Sequence, residues 1–455
     1  MSVAWGDLPL LALRCILDHL TVKDALAATS TCRHWRSVMH LYEGKKFLLK
    51  LYVKDIKKNI FLARIFKKHV KRLHIYIDTT DEEELESFMN YILPLFFDTI
   101  KLTELVFLGP SYLLKDTKVP TPQLKRIIVE TLLFKHLLTV EKLILMGCEM
   151  ATPKNENDRH THKYVEYYSR PLTFSTKRSL DDSILTRANV GLMQFSKLQN
   201  IIIDYEYVSS GTVNTLSRLP KLVLLTLNIG HRRPVAMSKF DWPPKRLRVA
   251  LNIIAVPLSR FKDIMQNIFV IGLMVVSVKV MFCKTFHVPF IGLISRQYSS
   301  TLKELVWVDA PADSTISRTV KPETYDVCVN NILLMCWQCA HLRRLVIHGY
   351  WLWQYDVQGI VRLRRSLERL EVSAVYGRQN QFGTDDNSVL RVMSTDKVAP
   401  LEDEYVEKIN EYTQFLWEPC DYETLHPSLK VGATPQDCAD YIMEEATNRL
   451  TIMYV

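Results

Sequence analysis

The residues best able to do chemistry are few, and they do not form a reactive set. Cys336-Trp-Gln-Cys339, with Cys328 upstream and His341 just downstream, has part of the spacing of a zinc site. A tetrahedral structural site needs four ligands, usually two such pairs, and there is no second Cys-x-x-Cys. These cysteines also fall on a segment of apolar periodicity, where a thiol serves as a small buried apolar group. His160-x-His162 lies in a polar run with no matching cluster, so it reads as a solvated pair. Acidic pairs such as Asp81 and Glu84 sit in charged runs, whose default reading is a solvated face. GxSxG, HExxH, DxDxDG, GxxxxGK[ST] and GxGxxG are all absent. The expectation is no catalytic residue, no metal ligand and no cofactor, so the chain is read as not an enzyme.

The elements that carry these residues follow from composition and pattern. The chain has 455 residues, 48% hydrophobic and 24% charged, values of a folded protein rather than a disordered one. Only 14 glycines occur, which disfavours folds built on glycine-rich turns. The formal charge is +9. Eleven basic and two acidic residues between Leu41 and Tyr76 account for all of it, and the remainder balances. A protein that coats nucleic acid spreads its charge along a face, so no nucleic-acid partner is expected. The default reading of this segment is a solvated outer face. An acidic protein, anionic lipid or nucleic acid are its alternatives.

Nine cysteines without framework spacing argue against a disulfide-built secreted domain. The start MSVAWGDLPLLALRC lacks a basic region ahead of an apolar core, so it does not read as a signal peptide. The most apolar stretch, Ile268 to Val278, is 11 residues against the ~20 needed to span a bilayer, and it reads as a buried strand with its flanks. A cytoplasmic and/or nuclear protein without a membrane span is the expectation.

The first forty residues carry three short helical patterns. Leu8, Leu13, Ile16, Leu17 and Leu20 recur at helical spacing, with Asp7 as the expected N-cap and Pro9 in the first turn. Thr21 to Asp24 turns into a second helix carrying Leu26. Thr29 to Thr31 ends it and leads to a third with Cys32, Trp35 and Val38 on one side. So small a unit cannot bury all of this surface alone, so another chain should cover part of it. The pattern W-x-x-L-P-x-x-x-L-x-x-I-L-x-x-L, then D-x-L, then C-R-x-W-R, resembles the F-box, the helical module that binds the Skp-family adaptor of SCF-type cullin–RING ubiquitin ligases. Leu10 and Leu11 stand where the family is usually acidic, and Thr31 where it has a small apolar residue. The resemblance implies that Trp5, Leu8, Pro9, Leu13, Ile16, Leu17, Leu20 and Trp35 face or support that adaptor. The plainer reading is a helical cap packed on its own chain.

Beyond it an apolar unit of the form L-x-x-L-x-L recurs, beginning at Val70, Leu102, Leu124, Val140, Leu198, Leu222, Arg246, Leu273, Leu302, Leu342 and Leu367. Most intervals lie between 22 and 32 residues, close to the ~20–29 of leucine-rich repeats. The two L-x-L leucines point one way along a strand, and the residues around them point the other. The chain therefore resembles an F-box protein of the leucine-rich-repeat type: an α/β fold with a small three-helix F-box ahead of a horseshoe solenoid. Asparagine is mostly missing from the family's turn position.

The expected organisation is an F-box over 1–42, a basic linker or solenoid cap over 43–69, and the solenoid over 70–395 with a polar insertion at about 152–182. A capping segment follows over 396–455, with helices expected in Glu402–Trp417 and Gln436–Leu450. An irregular repeat is sought in Ser183–Phe195. Strand alternation nominates His74, Tyr76, Arg126, Glu130, Asn200, Asp204, Asn252, Lys279, Glu304, Arg344, His348, Arg369 and Glu371 as the concave, target-facing set. The reading is a substrate-recognition adaptor that joins an unknown protein target to the Skp-family adaptor and its cullin–RING scaffold. The alternative is an adaptor-independent leucine-rich-repeat scaffold.

Overall fold

Each L-x-L segment makes a short parallel strand, because two branched or leucine side chains on one face are buried only when a neighbouring strand continues that face. The computed structural model describes residues 5–41, 47–67, 70–96, 102–109, 136, 138–147, 195–205, 213, 216–230, 247–284, 286–310, 331–350, 352–373, 375–376, 403–418, 420, 422–430 and 432–448. The chain divides into two compact units: Met1–Ile201 with Arg218–Leu222, and Ile202–Ser217 with Val223–Val455.

In the first unit, helices α1 (Leu10–His19), α2 (Val22–Thr31) and α3 (Arg33–Leu41) lead to strand β1 (Phe47–Tyr52), helix α4 (Ile56–Phe66) and strand β2 (Val70–Tyr76). Helix α5 (Glu82–Tyr91) and strands β3 (Glu104–Leu108) and β4 (Lys142–Met146) follow. β1 to β4 pair in parallel in chain order. Parallel pairing thus begins at Phe47: the lysine-rich stretch expected as linker or cap, in which Gly44–Val53 reads as a strand and Asn59–His69 as an amphipathic helix, supplies β1 and α4. Asp81 caps α5 by accepting from Glu83 N at 2.8 Å, and three glutamates in the first turn suit the helix dipole.

β3 pairs directly with β4, with Glu104 opposite Lys142, and Glu141 N and Lys142 N both donate to Thr103 O, at 2.8 and 3.0 Å. Gln199 N donates to Glu141 O at 2.8 Å. The repeat expected at Leu124 and all of Ser183–Phe195 but Phe195 itself lie outside the described residues. Arg126, Glu130, Cys328, the His160 pair and the 152–182 insertion lie outside the described residues.

Strand β5 (Asn200–Asp204) spans the division between the units. In the second unit come β6 (Leu224–Ile229), β7 (Arg248–Ile254), helix α6 (Phe261–Asn267), β8 (Met274–Met281), α7 (Val288–Gln297) and β9 (Glu304–Val308). Then follow α8 (Asn331–Gln338), β10 (Arg344–His348), a short ladder strand β11 (Leu352–Trp353), α9 (Gln354–Leu363), β12 (Arg369–Val372) and β13 (Val375–Tyr376), which pairs with β11. α10 (Asp403–Asn410) lies within the first tail segment expected to be helical, and α11 (Pro435–Thr447) overlaps the second, beginning one residue before it. β6 to β10 and β12 are parallel and in chain order. The inward residues Leu225, Leu227, Val249, Leu251, Leu305, Trp307, Leu345 and Ile347 are buried. The apolar run at 268–278 enters β8 only at Met274, after a turn at Gly272.

Asparagine is not needed at the turns because other acceptors stand there. Just past a strand end, a side chain takes the N–H of the preceding repeat: Asp78 from Lys54, Cys283 Sγ from Val256, Asp309 from Lys284 at 2.8 Å, and Ser373 from Gly349. Repeat thus hydrogen-bonds to repeat through the side chain as well as the ladder. Gly349 sits at φ +82°, and a Cβ there would meet Asp309 O at 2.4 Å. Gly349→Ala is expected to cost at least ~2 kcal/mol, from the left-handed backbone and the clash together. Chemical denaturation of the two chains checks it, and an unchanged midpoint would refute the assignment.

Candidate functional site

The amino-terminal helices sort the predicted adaptor-facing residues into inner and outer sets. α1 begins at Leu10 with Pro9 as its N-cap, not with Asp7, because Trp5–Asp7 forms a 3-10 turn of its own. Thr21 caps α2 by accepting from Asp24 N at 3.2 Å. The hydroxyls of Thr29, Ser30 and Thr31 fold back onto the Leu26 and Ala28 carbonyl oxygens and close its end. Leu13, Leu17, Ala25, Ala28, Val38 and Met39 make the buried core of the three helices.

Trp35 Nε1 donates to Trp5 O at 2.9 Å, and His34 Nε2 lies 3.0 Å from Leu8 O, so α3 holds the first turn in place. Leu8, Ile16, Leu20 and Trp35 are half-buried, whereas Pro9 is exposed. Trp5 is 76% exposed and Leu11 73%, with Leu10 beside them. The two leucines that depart from the family pattern thus extend the exposed apolar strip, and Leu13 and Leu17 are internal supports.

The strand-face residues come together in register, but most are buried. Of the nominated set described here, Arg369 alone is exposed and Glu371 is half-buried. In the first unit His74 Nε2 lies 2.7 Å from Glu104, which also takes Arg72 Nε at 2.9 Å, and Tyr76 stacks on Tyr52 at 4.6 Å. Arg72, Glu104 and Lys142 occupy one position on three adjacent strands.

In the second unit Asn252 donates to Asn228 at 2.9 Å, and Asn228 to Asp204 at 3.3 Å. Arg344 reaches Glu304 at 2.6 Å, and Ser277 also donates to Glu304 at 2.6 Å. His348 lies 3.6 Å from Glu371, which also pairs with Arg369. Glu445 of α11 enters the same cluster. It bonds Lys279 at 2.8 Å and takes both terminal nitrogens of Arg344, at 2.8 and 2.9 Å. α11 therefore lies over the nominated face. Asn200 is buried at the start of β5.

Arg72, Glu104, Lys142, Ser277 and Glu445 were not nominated. The first three had a signal: like Glu304 and Arg344, they precede the second apolar residue of L-x-x-L. Glu445 had none, since a tail helix shows no strand register. Cys336 and Cys339 are buried on and just after α8, and burial pushes both thiols up to about 12, where they are neutral packing groups. Among the described residues no group of three His, Cys, Asp or Glu side chains could hold a metal, and no helix is long and apolar enough to cross a membrane.

Burial, which outweighs the bond to Glu104, holds His74 below its usual pKa and keeps its ring neutral. Burial alone would raise Glu104, but the His74 hydrogen bond, the Lys142 charge and Arg72 bring it down to about 2. The unfolded chain therefore binds more protons than the folded one on the acid side. The His74 contribution is lost below ~6.5, and the Glu104 contribution falls away from ~4.3 toward 2. Denaturation midpoints should drop from pH 7 to pH 5, and His74→Gln should flatten that part of the profile. An identical slope in both chains would contradict the assignment.

Residues 5–45 match the family profile described as the F-box domain. The human protein named F-box only protein 33 is 32% identical over 84 residues. That is 18% of this chain and 15% of that protein's length, so the chain spans well under two thirds of this relative. Among solved structures, the leucine-rich repeat-containing protein LegL7 of Legionella pneumophila aligns with a TM-score of 0.36 at 9% identity, over 72% of this chain and 91% of that one. The exposed strip of Trp5, Pro9, Leu10 and Leu11, the inner Leu13–Leu17 pair and the matching profile agree on one assignment. The chain carries an F-box domain at residues 5–45, followed by a parallel-strand α/β array.

Proposed function

We propose that this chain is the substrate-recognition adaptor of an SCF-type cullin–RING ubiquitin ligase, working in the cytoplasm or nucleus. The F-box helices dock on a Skp-family adaptor, and the repeat array holds a protein target. The observation that carries this reading is the apolar strip at the amino-terminal helices. Trp5, Pro9, Leu10 and Leu11 stay open to solvent while Leu13 and Leu17 are already sealed within the chain. An aromatic anchor beside aliphatic residues is the composition of an interface centre.

The chain's own contribution to ubiquitin transfer is proximity. Holding a target lysine near a charged conjugating enzyme raises the effective concentration of the two reactants, and no reacting group of this chain is required.

Wild-type chain should capture purified Skp-family adaptor at micromolar concentration, and Trp5→Ala with Leu11→Asp should weaken capture at least ~tenfold, as loss of two interface anchors does. Those two changes should leave the denaturation midpoint within experimental scatter, since both side chains are exposed. Leu17→Ala should do the reverse to stability, costing about 2–5 kcal/mol because it opens a cavity in the helical core. Failure of the wild type to bind in calorimetry removes the ligase reading and leaves an adaptor-independent scaffold.

A further inference from the structure

The cationic pair on β8 and β10 already holds an anionic ligand, and that ligand is part of the chain. Lys279 Nζ donates to Glu445 Oε2 at 2.8 Å and to the Glu445 carbonyl oxygen at 2.9 Å. Arg344 takes the same carboxylate with both terminal nitrogens. Without Glu445, Lys279 and Arg344 would be left to share Glu304, with Glu371 3.9 Å from Arg344 and already paired with Arg369.

Two features mark α11 as a poor permanent fixture. Glu444 and Glu445 lie in its last turn, which holds no basic residue. Acidic groups are unfavourable at that end of the helix dipole, so the end of α11 depends on Lys279 and Arg344 rather than on its own sequence. Its amino end, in contrast, is fully built: Thr434 and Asp437 form a reciprocal capping box. The fit is also incomplete. Among the described residues, Arg344 Nε, His348 Nδ1 and Asn252 Oδ1 are buried on the same face without a hydrogen-bond partner. Tyr441, edge-on to Phe282 and to His426, completes the packing of the tail on this unit.

We propose that α11 is a removable internal ligand of the β8–β10 face. Glu445 occupies the place of an acidic residue in the last helical turn of a target protein. That position offers what Lys279 and Arg344 read here: one carboxylate, plus a carbonyl oxygen left free because the helix ends. A target able to reach Arg344 Nε or His348 Nδ1 as well would displace the strap. This inference rests on the reading that the repeat array holds a protein target, and it names that target's chemistry.

Native-state hydrogen exchange on the full chain is the first arm of the test. Amides of residues 439–447 should exchange at least tenfold faster than those of β8–β10, because α11 opens while the sheet stays closed. Glu445→Gln should speed the α11 amides a further tenfold and leave the strands protected. The second arm titrates a labelled peptide of residues 434–448, blocked at both ends. It should bind the Glu445→Gln chain saturably, and at least tenfold more weakly when its own Glu445 is Gln. Exchange of α11 and the strands as one cooperative unit in the wild type would overturn the proposal, and so would a peptide whose binding ignores the Gln change. The wild-type arm stands even if the variant fails to fold. Neither arm reads adaptor capture, so failure here leaves the ligase reading untouched.

Discussion

One repeat of this chain cannot bury its own leucines. A strand of four to eight residues has one apolar face, and that face is removed from water only where the next strand continues it at ~4.8 Å. Parallel pairing in chain order answers this within each unit, and it has a second consequence. Strands in register place the same repeat position side by side on the opposite face. Arg72, Glu104 and Lys142 thereby become neighbours, as do Ser277, Glu304, Arg344 and Arg369. Buried charges must be matched in sign, because an unpaired one costs ~3–5 kcal/mol. The leucine pattern thus brings these polar and charged groups side by side, and their pairing sets what else that face accepts.

On β8–β10 the set is not matched by the strands alone. Burial works against ionising Glu445, yet Lys279 and Arg344 hold its carboxyl well below the usual carboxylate range, and Arg344 itself is held above its ordinary value. Each group is stabilised by the other, and the partner that completes the set comes from α11, far along the chain. The F-box helices show the complementary case. Their inner residues close a small core, and the outer strip has no described partner to close it. One face of this chain is completed internally, and the apolar strip of the helices stays exposed. The proposed adaptor role needs surfaces of both kinds.

Much of this was legible in the residues. The L-x-L triplets located β2 to β10 and β12, because two aligned apolar side chains are what a strand buries. The three helices followed from helical spacing and a resemblance fixed at a dozen positions, whereas the bond from Trp35 to the Trp5 carbonyl oxygen did not. The alternation in Gly44–Val53 also reads as a strand, which the structure has as β1. What lies above a face, and which strand pairs with which, were not legible. Most of the described face residues are buried, with Arg369 exposed and Glu371 half-buried, since alternation fixes direction and says nothing of what lies above. Glu445 was invisible for the same reason.

The central claim is that the amino-terminal strip is a docking surface for another chain. Hydrogen exchange of the full chain with and without saturating Skp-family adaptor tests it most directly, because it reports where protection appears rather than whether binding occurs. The account predicts slower exchange in residues 5–20 and around Trp35, with the amides of β2 to β10 unchanged. Unaltered exchange in 5–20, or protection confined to the strands, would contradict it.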